Sequence, residues 1–332
     1  MTRLSVIVPG FNTPNEWWRR CLNSVLGACG ENDEVICVDD GSKERPVVDI
    51  ADSRLKRIFL ETNVGQAEAR NRALQIATGE FVAFADSDDE VKNDIYTTCI
   101  SELEKTGADV CMFGVECIWP GEGLRKHDVP NRCDVCEPSG RLVERWYKEC
   151  VLNYVSNKVV RRSFLNSHKI QFDAGGMPCE DVIFYLETLT AGAKWCAIPV
   201  EGYVYYKSQM TSLSRYKACY MHGITKCADA WKSFCKTRSD GVKECGYHAD
   251  LTERQSSLLE WDNIWRPGSP YRLVNKFGWL KQHRKALGIH CAALAFLRKL
   301  AFSIARRWCY FKPVRQWHYK RIYAGMEPWP AH

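Results

Sequence analysis

Short apolar strands alternate with amphipathic helices along the first part of the chain, and two of those strands run directly into paired carboxylates. Residues 4–9 (Leu-Ser-Val-Ile-Val-Pro) form an apolar run stopped by Pro9 and Gly10, and residues 33–38 form a second, ending in Asp39-Asp40-Gly41-Ser42. Both read as buried strands. Between them, Trp18, Cys21, Leu22 and Val25 recur at helical spacing over residues 15–26, with Gly27 and Gly30 as stop signals. The pattern repeats as a strand at 55–60, a helix at 65–77, and a strand at 80–85 that enters Asp86-Ser87-Asp88-Asp89. A helix at 93–106 and a strand at 108–115 follow. Such alternation predicts an α/β fold, a mostly parallel sheet with helices on both faces, whose ligands sit at the carboxyl ends of the strands. The paired acids stand at those ends.

Further on, residues 119–136 read as a loop punctuated by Pro120, Gly121, Gly123 and Pro130, and residues 142–151 read as a helix. Ser163 is placed to cap a short helix, and Cys179-Glu180-Asp181 opens another through Val182, Ile183, Tyr185, Leu186 and Leu189. Charge divides the chain: residues 1–215 carry a net charge of −7 and residues 216–332 one of +13. This suggests a catalytic domain over 1–215, with a donor half at about 1–115 and an acceptor half at about 116–215, and a basic, Trp-rich helical region over 216–332.

No secretory signal is visible, because the first apolar run is short and ends in Pro-Gly. The best candidate for a membrane span, 286–297, has 12 residues and includes His290, too few to span a bilayer. Seventeen scattered cysteines in a chain of this length read as reduced thiols, with Cys133-x-x-Cys136 the only close pair. These features lead to the expectation of a cytoplasmic protein.

Asp86-x-Asp88 after a strand can hold a hard divalent cation through oxygen, the rest of its shell being completed by substrate phosphates and water. A carboxylate at a helix start, Asp181 beside Glu180, is a candidate general base for a hydroxyl nucleophile. The stretches VIVPGFN (6–12), VDDGS (38–42), NVGQAEARNRAL (63–74), GEFVAFADSDD (79–89), SNKVVRRSFL (156–165) and CEDVIFYLETL (179–189) resemble the family 2 glycosyltransferases of GT-A fold, in that family's order. The resemblance implies a nucleotide-sugar donor, most often a uridine diphosphate sugar, and transfer of a hexosyl or N-acetylhexosaminyl group with inversion, in synthesis of a bacterial surface polysaccharide. It further implies that Asp40 binds uracil with Pro9, Phe11 and Asp39 around the base, and that Asn63, Gly65 and Arg70 form the nucleoside-side helix opening. Asp86 and Asp88 match the D-x-D that meets ribose and Mn²⁺ or Mg²⁺, Asp88 being the direct ligand, and Asp181 with Glu180 matches the catalytic base. Tyr206-Lys207 with Ser212 resembles a Tyr-Arg…Ser element acting on the diphosphate, with Lys207 where the family has Arg.

From 263 to 326 there are 14 Lys and Arg and no Asp or Glu. Leu294, Leu297, Leu300, Ala301, Ile304 and Trp308 share one helical arc opposite Arg298, Lys299, Arg306 and Arg307. This suits an anionic membrane surface, and hence a peripheral position on the inner face of the cell membrane beside a glycan or lipid-linked acceptor. A helix packed on the catalytic domain is the plainer reading of the same pattern. The acidic first part and the lack of a recognition motif argue against nucleic acid. A transferase acting on a soluble or protein-linked acceptor, and an inactive nucleotide-sugar-binding scaffold, are the alternative functions.

Overall fold

The computed structural model describes residues 3–237 apart from 48, 120–123, 175–178 and 208–216. Strand β1 (Leu4–Gly10) is buried along its length and alternates as a two-sided strand must: Leu4, Val6 and Val8 enter one apolar cluster and Ile7 the other. Helix α1 (Asn15–Ala28) buries Trp18, Cys21, Leu22, Val25 and Leu26. Trp18 lies so close across the end of β1 that a Cβ on Gly10 would sit 1.6 Å from its ring, which fixes glycine there. Strands β2 (Glu34–Asp39) and β3 (Leu55–Phe59), helix α2 (Gln66–Ile76), strand β4 (Phe81–Phe84), the two-residue β5 (Glu90–Val91) and helix α3 (Ile95–Thr106) follow. Helix α3 ends on Gly107 in the left-handed region, φ 68°.

The second half holds β6 (Val110–Trp119), β7 (Leu124–Asp128), β8 (Cys133–Cys136), α4 (Gly140–Lys148), β9 (Lys158–Arg161), α5 (Arg162–His168), α6 (Glu180–Thr190), β10 (Trp195–Tyr206) and α7 (Lys217–Lys236). The sheet runs β3-β2-β1-β4-β9-β6-β10-β5, with β7 on β6 and β8 on β10. Strands β3, β2, β1 and β4 are parallel, β6 and β10 are parallel, and β9 is antiparallel to both its neighbours, β4 and β6. The ends of β1, β2, β4, β6 and β10 therefore share one edge of the sheet.

Helices cover both faces. The cluster containing Val6 and Val8 takes α1 and α3; that containing Ile7 and Val38 takes α2, α4, α6 and α7. Each fully buried Val, Leu, Ile or Phe in them contributes about 1.5–3 kcal/mol. Two expectations fail locally and one strand was not foreseen. The stretch expected to be a loop, 119–136, contains β7 and β8. Ser163 does not cap α5, whose N-cap is Arg161 with no side-chain cap bond. Strand β10 escaped the sequence because its pairing with β6 shifts register between Ala197 and Glu201 and again between Glu201 and Tyr203, which breaks the period of two.

By its contacts the chain divides into Met1–Ser256 and Ser257–His332, so the first unit continues past residue 215. Packing explains this: Cys227, Trp231 and Phe234 of α7 join the Ile7 cluster, with Tyr147 edge-on to Trp231 at 5.3 Å. Ser212 and the basic stretch 263–326 lie outside the described residues.

Candidate active site

The end of β2 presents two adjacent carboxylates with different surroundings. Asp40 Oδ1 accepts the Val64 N–H at 2.7 Å, and its Oδ2 accepts the Gly65 N–H and Asn63 Nδ2, each at 2.9 Å. The Asp40 carboxylate thus fastens the opening of α2 to β2. Burial raises its pKa, against those two N–H groups. Gly41, at φ 69°, makes the turn possible, since a Cβ there would meet Thr62 carbonyl carbon at 2.4 Å. Asp39 accepts the Ser42 hydroxyl on Oδ1 at 2.5 Å, whereas its Oδ2 is buried with no partner among the described residues. An unpaired buried carboxylate oxygen costs free energy until a donor reaches it. Between Asp39 and Asp40, Asp39 is therefore the one whose carboxylate keeps an oxygen that no described group bonds. Pro9 is buried beside it in register with Val38, and Phe11, just past the end of β1, is 42% exposed.

Arg70 connects the two halves of the chain. Its side chain is 1% exposed; Nη2 donates to Asp86 Oδ1 at 2.8 Å and Nη1 to Asp181 Oδ1 at 3.0 Å. The guanidinium lies over the Phe172 ring at 5.2 Å, and the surrounding carboxylates raise its pKa further despite burial. It stands on α2 because Ala67, Ala69 and Ala73 let that helix approach the sheet closely. Asp86 and Asp181 are 31% and 24% exposed, so each keeps a face toward solvent. Burial pushes the Asp181 carboxyl up to about 8; Arg70 and Lys158 pull it down, and Glu180 and Asp86 push with burial. Glu180 differs: it is 2% exposed, its Oε1 takes the Gln66 amide, and its Oε2 is buried without a partner among the described residues. Of the two acids opening α6, Asp181 is the one exposed to solvent.

The turn after β4 is held from below by β10. Asp86 N–H donates to the Tyr203 hydroxyl at 2.9 Å, and that hydroxyl donates to Asp89 Oδ2 at 2.9 Å. Asp89 Oδ1 accepts the Tyr206 N–H at 2.8 Å. Asp89 is wholly buried, and burial with the charges of Asp88 and Asp86 raises its pKa well above the carboxylate range. Tyr203 and Asp89 are positioning groups that the sequence alone did not single out; the only signal was Asp89's place in the acidic turn. Asp88 is partly exposed, and its carbonyl accepts from Arg20. Among the described residues no three His, Cys, Asp or Glu form a protein-only metal cage. Asp86 and Asp88 nonetheless fit a hard cation that brings its remaining oxygen ligands with a diphosphate.

Lys207 is exposed at the end of β10, its ammonium 5.1 Å from the Trp119 ring and 5.8 Å from that of Tyr205. Tyr205 in turn feels the charges of Asp89, Asp86 and Asp88, which with burial raise its pKa. The structure thus brings Arg70, Asp86, Glu180 and Asp181 into direct contact and puts Asp39, Asp40, Asn63, Gly65, Asp88 and Lys207 at the same sheet edge.

Residues 5–166 match the family model described as Glycosyl transferase family 2. The chain carries a family 2 glycosyltransferase domain. The uncharacterized glycosyltransferase YibD of Escherichia coli K12 is 29% identical over 228 residues, 64% of this chain and 63% of YibD. The succinoglycan biosynthesis protein ExoO of Rhizobium meliloti is 27% identical over 197 residues, 56% of each chain. The matches thus span between half and two thirds of these relatives. The crystal structure of S. aureus TarS 1–349 in complex with UDP-GlcNAc superposes with a TM-score of 0.61 over 90% of this chain and 89% of TarS, at 19% identity, and shares the fold.

Proposed function

We propose that the protein is a divalent-cation-dependent, inverting glycosyltransferase. It moves a hexosyl or N-acetylhexosaminyl group from a uridine diphosphate donor to a hydroxyl of a glycan or lipid-linked acceptor in cell-surface polysaccharide synthesis. The observation that carries this reading is Arg70: one buried guanidinium spans Asp86, on the donor side, and Asp181, at the start of α6. A group that binds the leaving diphosphate and a base for the incoming hydroxyl must flank one reacting carbon, and this bridge holds both within its own width.

Each residue then has a chemical task. The unpartnered Oδ2 of Asp39, once the base enters and uncovers it, accepts the N3–H of uracil, a donor that cytosine lacks, and Phe11 offers its exposed face to the base. Asp88, with Asp86, would hold Mn²⁺ or Mg²⁺, which when bound stabilises the charge growing on the leaving phosphate. Arg70 occupies Oδ1 of Asp181, leaving Oδ2 to take the acceptor proton as the glycosidic bond forms. One accessible base suits a single displacement, hence inversion. The names of ExoO and TarS's ligand agree with this choice of pathway and donor.

Calorimetry with uridine and cytidine diphosphates, each with Mn²⁺ and with excess chelator, tests the donor site. Tight binding of uridine diphosphate only when Mn²⁺ is present supports the proposal; equal binding of both nucleotides, or no effect of chelator, contradicts it. The membrane part of the proposal rests on the sequence of 263–326. Co-sedimentation with anionic but not neutral vesicles, weakening as salt rises, is the expected outcome, and equal binding to both rejects it.

A further inference from the structure

Residues three apart on a regular strand point to opposite faces. Cys133 and Cys136, the ends of β8, are an exception. Cys136 pairs with Trp195 and Cys133 with Ala197, so three steps on β8 oppose two on β10 and the register shifts between them. That is a bulge. With the extra residue absorbed, both cysteines fall on the face shared by Trp195 and Ala197, and their Sγ atoms lie 3.4 Å apart. Cys196, between the two partners, belongs to the opposite apolar cluster. Both thiols are half-buried, while Asp134 and Val135 at the bulge are exposed and leave a path for a small reagent.

We propose that Cys133 and Cys136 are a redox-active dithiol that low-molecular-weight disulfides convert to an intramolecular disulfide across the bulge of β8. The Cys136 thiolate attacks one sulfur of R–S–S–R, forming a mixed disulfide and expelling R–S⁻, which takes up the proton Cys136 released. Cys133 then gives up its proton and attacks the Cys136 sulfur, and the second R–S⁻ leaves as R–SH. The two protein thiols lose two electrons and the small disulfide gains them. Cys133 is the resolving thiol because burial, then its hydrogen bond with Cys136, pushes it up to about 12. The switch sits beside the packing under α6. Trp195, opposite Cys136, stacks on Trp146 at 5.5 Å and meets Tyr185 of α6 at 5.7 Å.

The test uses the full chain, folded, exposed to oxidised glutathione, then alkylated under denaturing conditions and digested with trypsin. Cleavage after Arg132 and Arg141 releases CDVCEPSGR, which contains both cysteines and no others. The expected peptide carries no alkyl group and is two hydrogen atoms lighter than the free dithiol peptide, and dithiothreitol before alkylation restores the doubly alkylated form. Cys133→Ser should instead retain glutathione on Cys136. A fully alkylated CDVCEPSGR after oxidation, or either cysteine joined to another part of the chain, overturns the proposal, as does Cys133→Ser with Cys136 unmodified.

Discussion

Replacing Arg70 with Met should destabilise the protein by about 3 kcal/mol at pH 8. Removing one partner of a buried ion pair costs ~3–5 kcal/mol, because the remaining charge stays desolvated. Here the side chain is 1% exposed and donates to two carboxylates, at 2.8 and 3.0 Å. Those carboxylates, 31% and 24% exposed, recover some hydration when the guanidinium is gone, which holds the loss to the low end. Methionine fills much of the vacated volume against Phe172, so packing adds little. The cost should depend on pH in one direction. Without Arg70 the Asp181 pKa rises above its native value of about 8, so the folded variant binds more protons than the unfolded chain over a wider range. Below about pH 8 both folded forms keep that proton and lose stability with pH at the same slope, so the variant's deficit grows only as pH rises through about 8 and beyond, where wild type has shed the proton and the variant retains it. Urea unfolding followed by tryptophan fluorescence would read this as a midpoint lowered by about 1 M at pH 8, with a slope near 3 kcal/mol/M. An equal midpoint at pH 8, or an equal deficit at pH 6 and pH 10, would show that Arg70 does not compensate the two carboxylates.

Asp181→Asn should lower kcat by ~10²-fold or more while raising stability at neutral pH, since it removes a buried carboxylate whose stability contribution is lost as pH climbs from the unfolded value near ~4 to about 8; paired rate and thermal-melt measurements check both. In wild type, kcat/KM should rise with pH toward about 8 as Asp181 loses its proton, and a flat acidic limb would remove it as the base. Asp39→Ala should weaken uridine diphosphate binding by ~10–100-fold, the worth of a hydrogen bond to a charged group, whereas Asp40→Ala should act mainly on stability by freeing the Val64 and Gly65 N–H groups; calorimetry and melting separate the two. Tyr203→Phe, which deletes the hydroxyl between Asp86 N–H and Asp89, should weaken Mn²⁺-dependent binding without touching any ligand directly, as titration of Mn²⁺ into the uridine diphosphate mixture would report.

Apart from the two-residue β5, the strand-helix order from β1 to β6 was legible because each element there is regular: the apolar runs are short and the stops are Gly, Pro or Asp. The acidic strand ends were legible for the same reason. What the sequence could not separate was Asp39 from Asp40. Neighbours at a strand end point opposite ways, and which one is taken by the backbone of α2 depends on where residues 63–65 return in space. Arg70 was expected on the nucleoside side, yet its guanidinium reaches Asp181 across 111 positions, a contact no local spacing encodes. Tyr203 stayed hidden because β10 did: Pro199, Gly202 and two register shifts conceal the strand that supports the D-x-D turn. The shift that hides β8 likewise concealed the meeting of Cys133 and Cys136.

The most direct test is nucleoside diphosphate release from a panel of nucleotide sugars, followed in wild type and in Asp181→Asn, with and without Mn²⁺. A glycosyltransferase built as described releases uridine diphosphate from one or a few uridine diphosphate sugars, only with the cation, and the variant binds the same donor but turns it over at least ~10²-fold more slowly. Release that survives chelation, or that Asp181→Asn leaves unchanged, would contradict the assignment of donor site and base together.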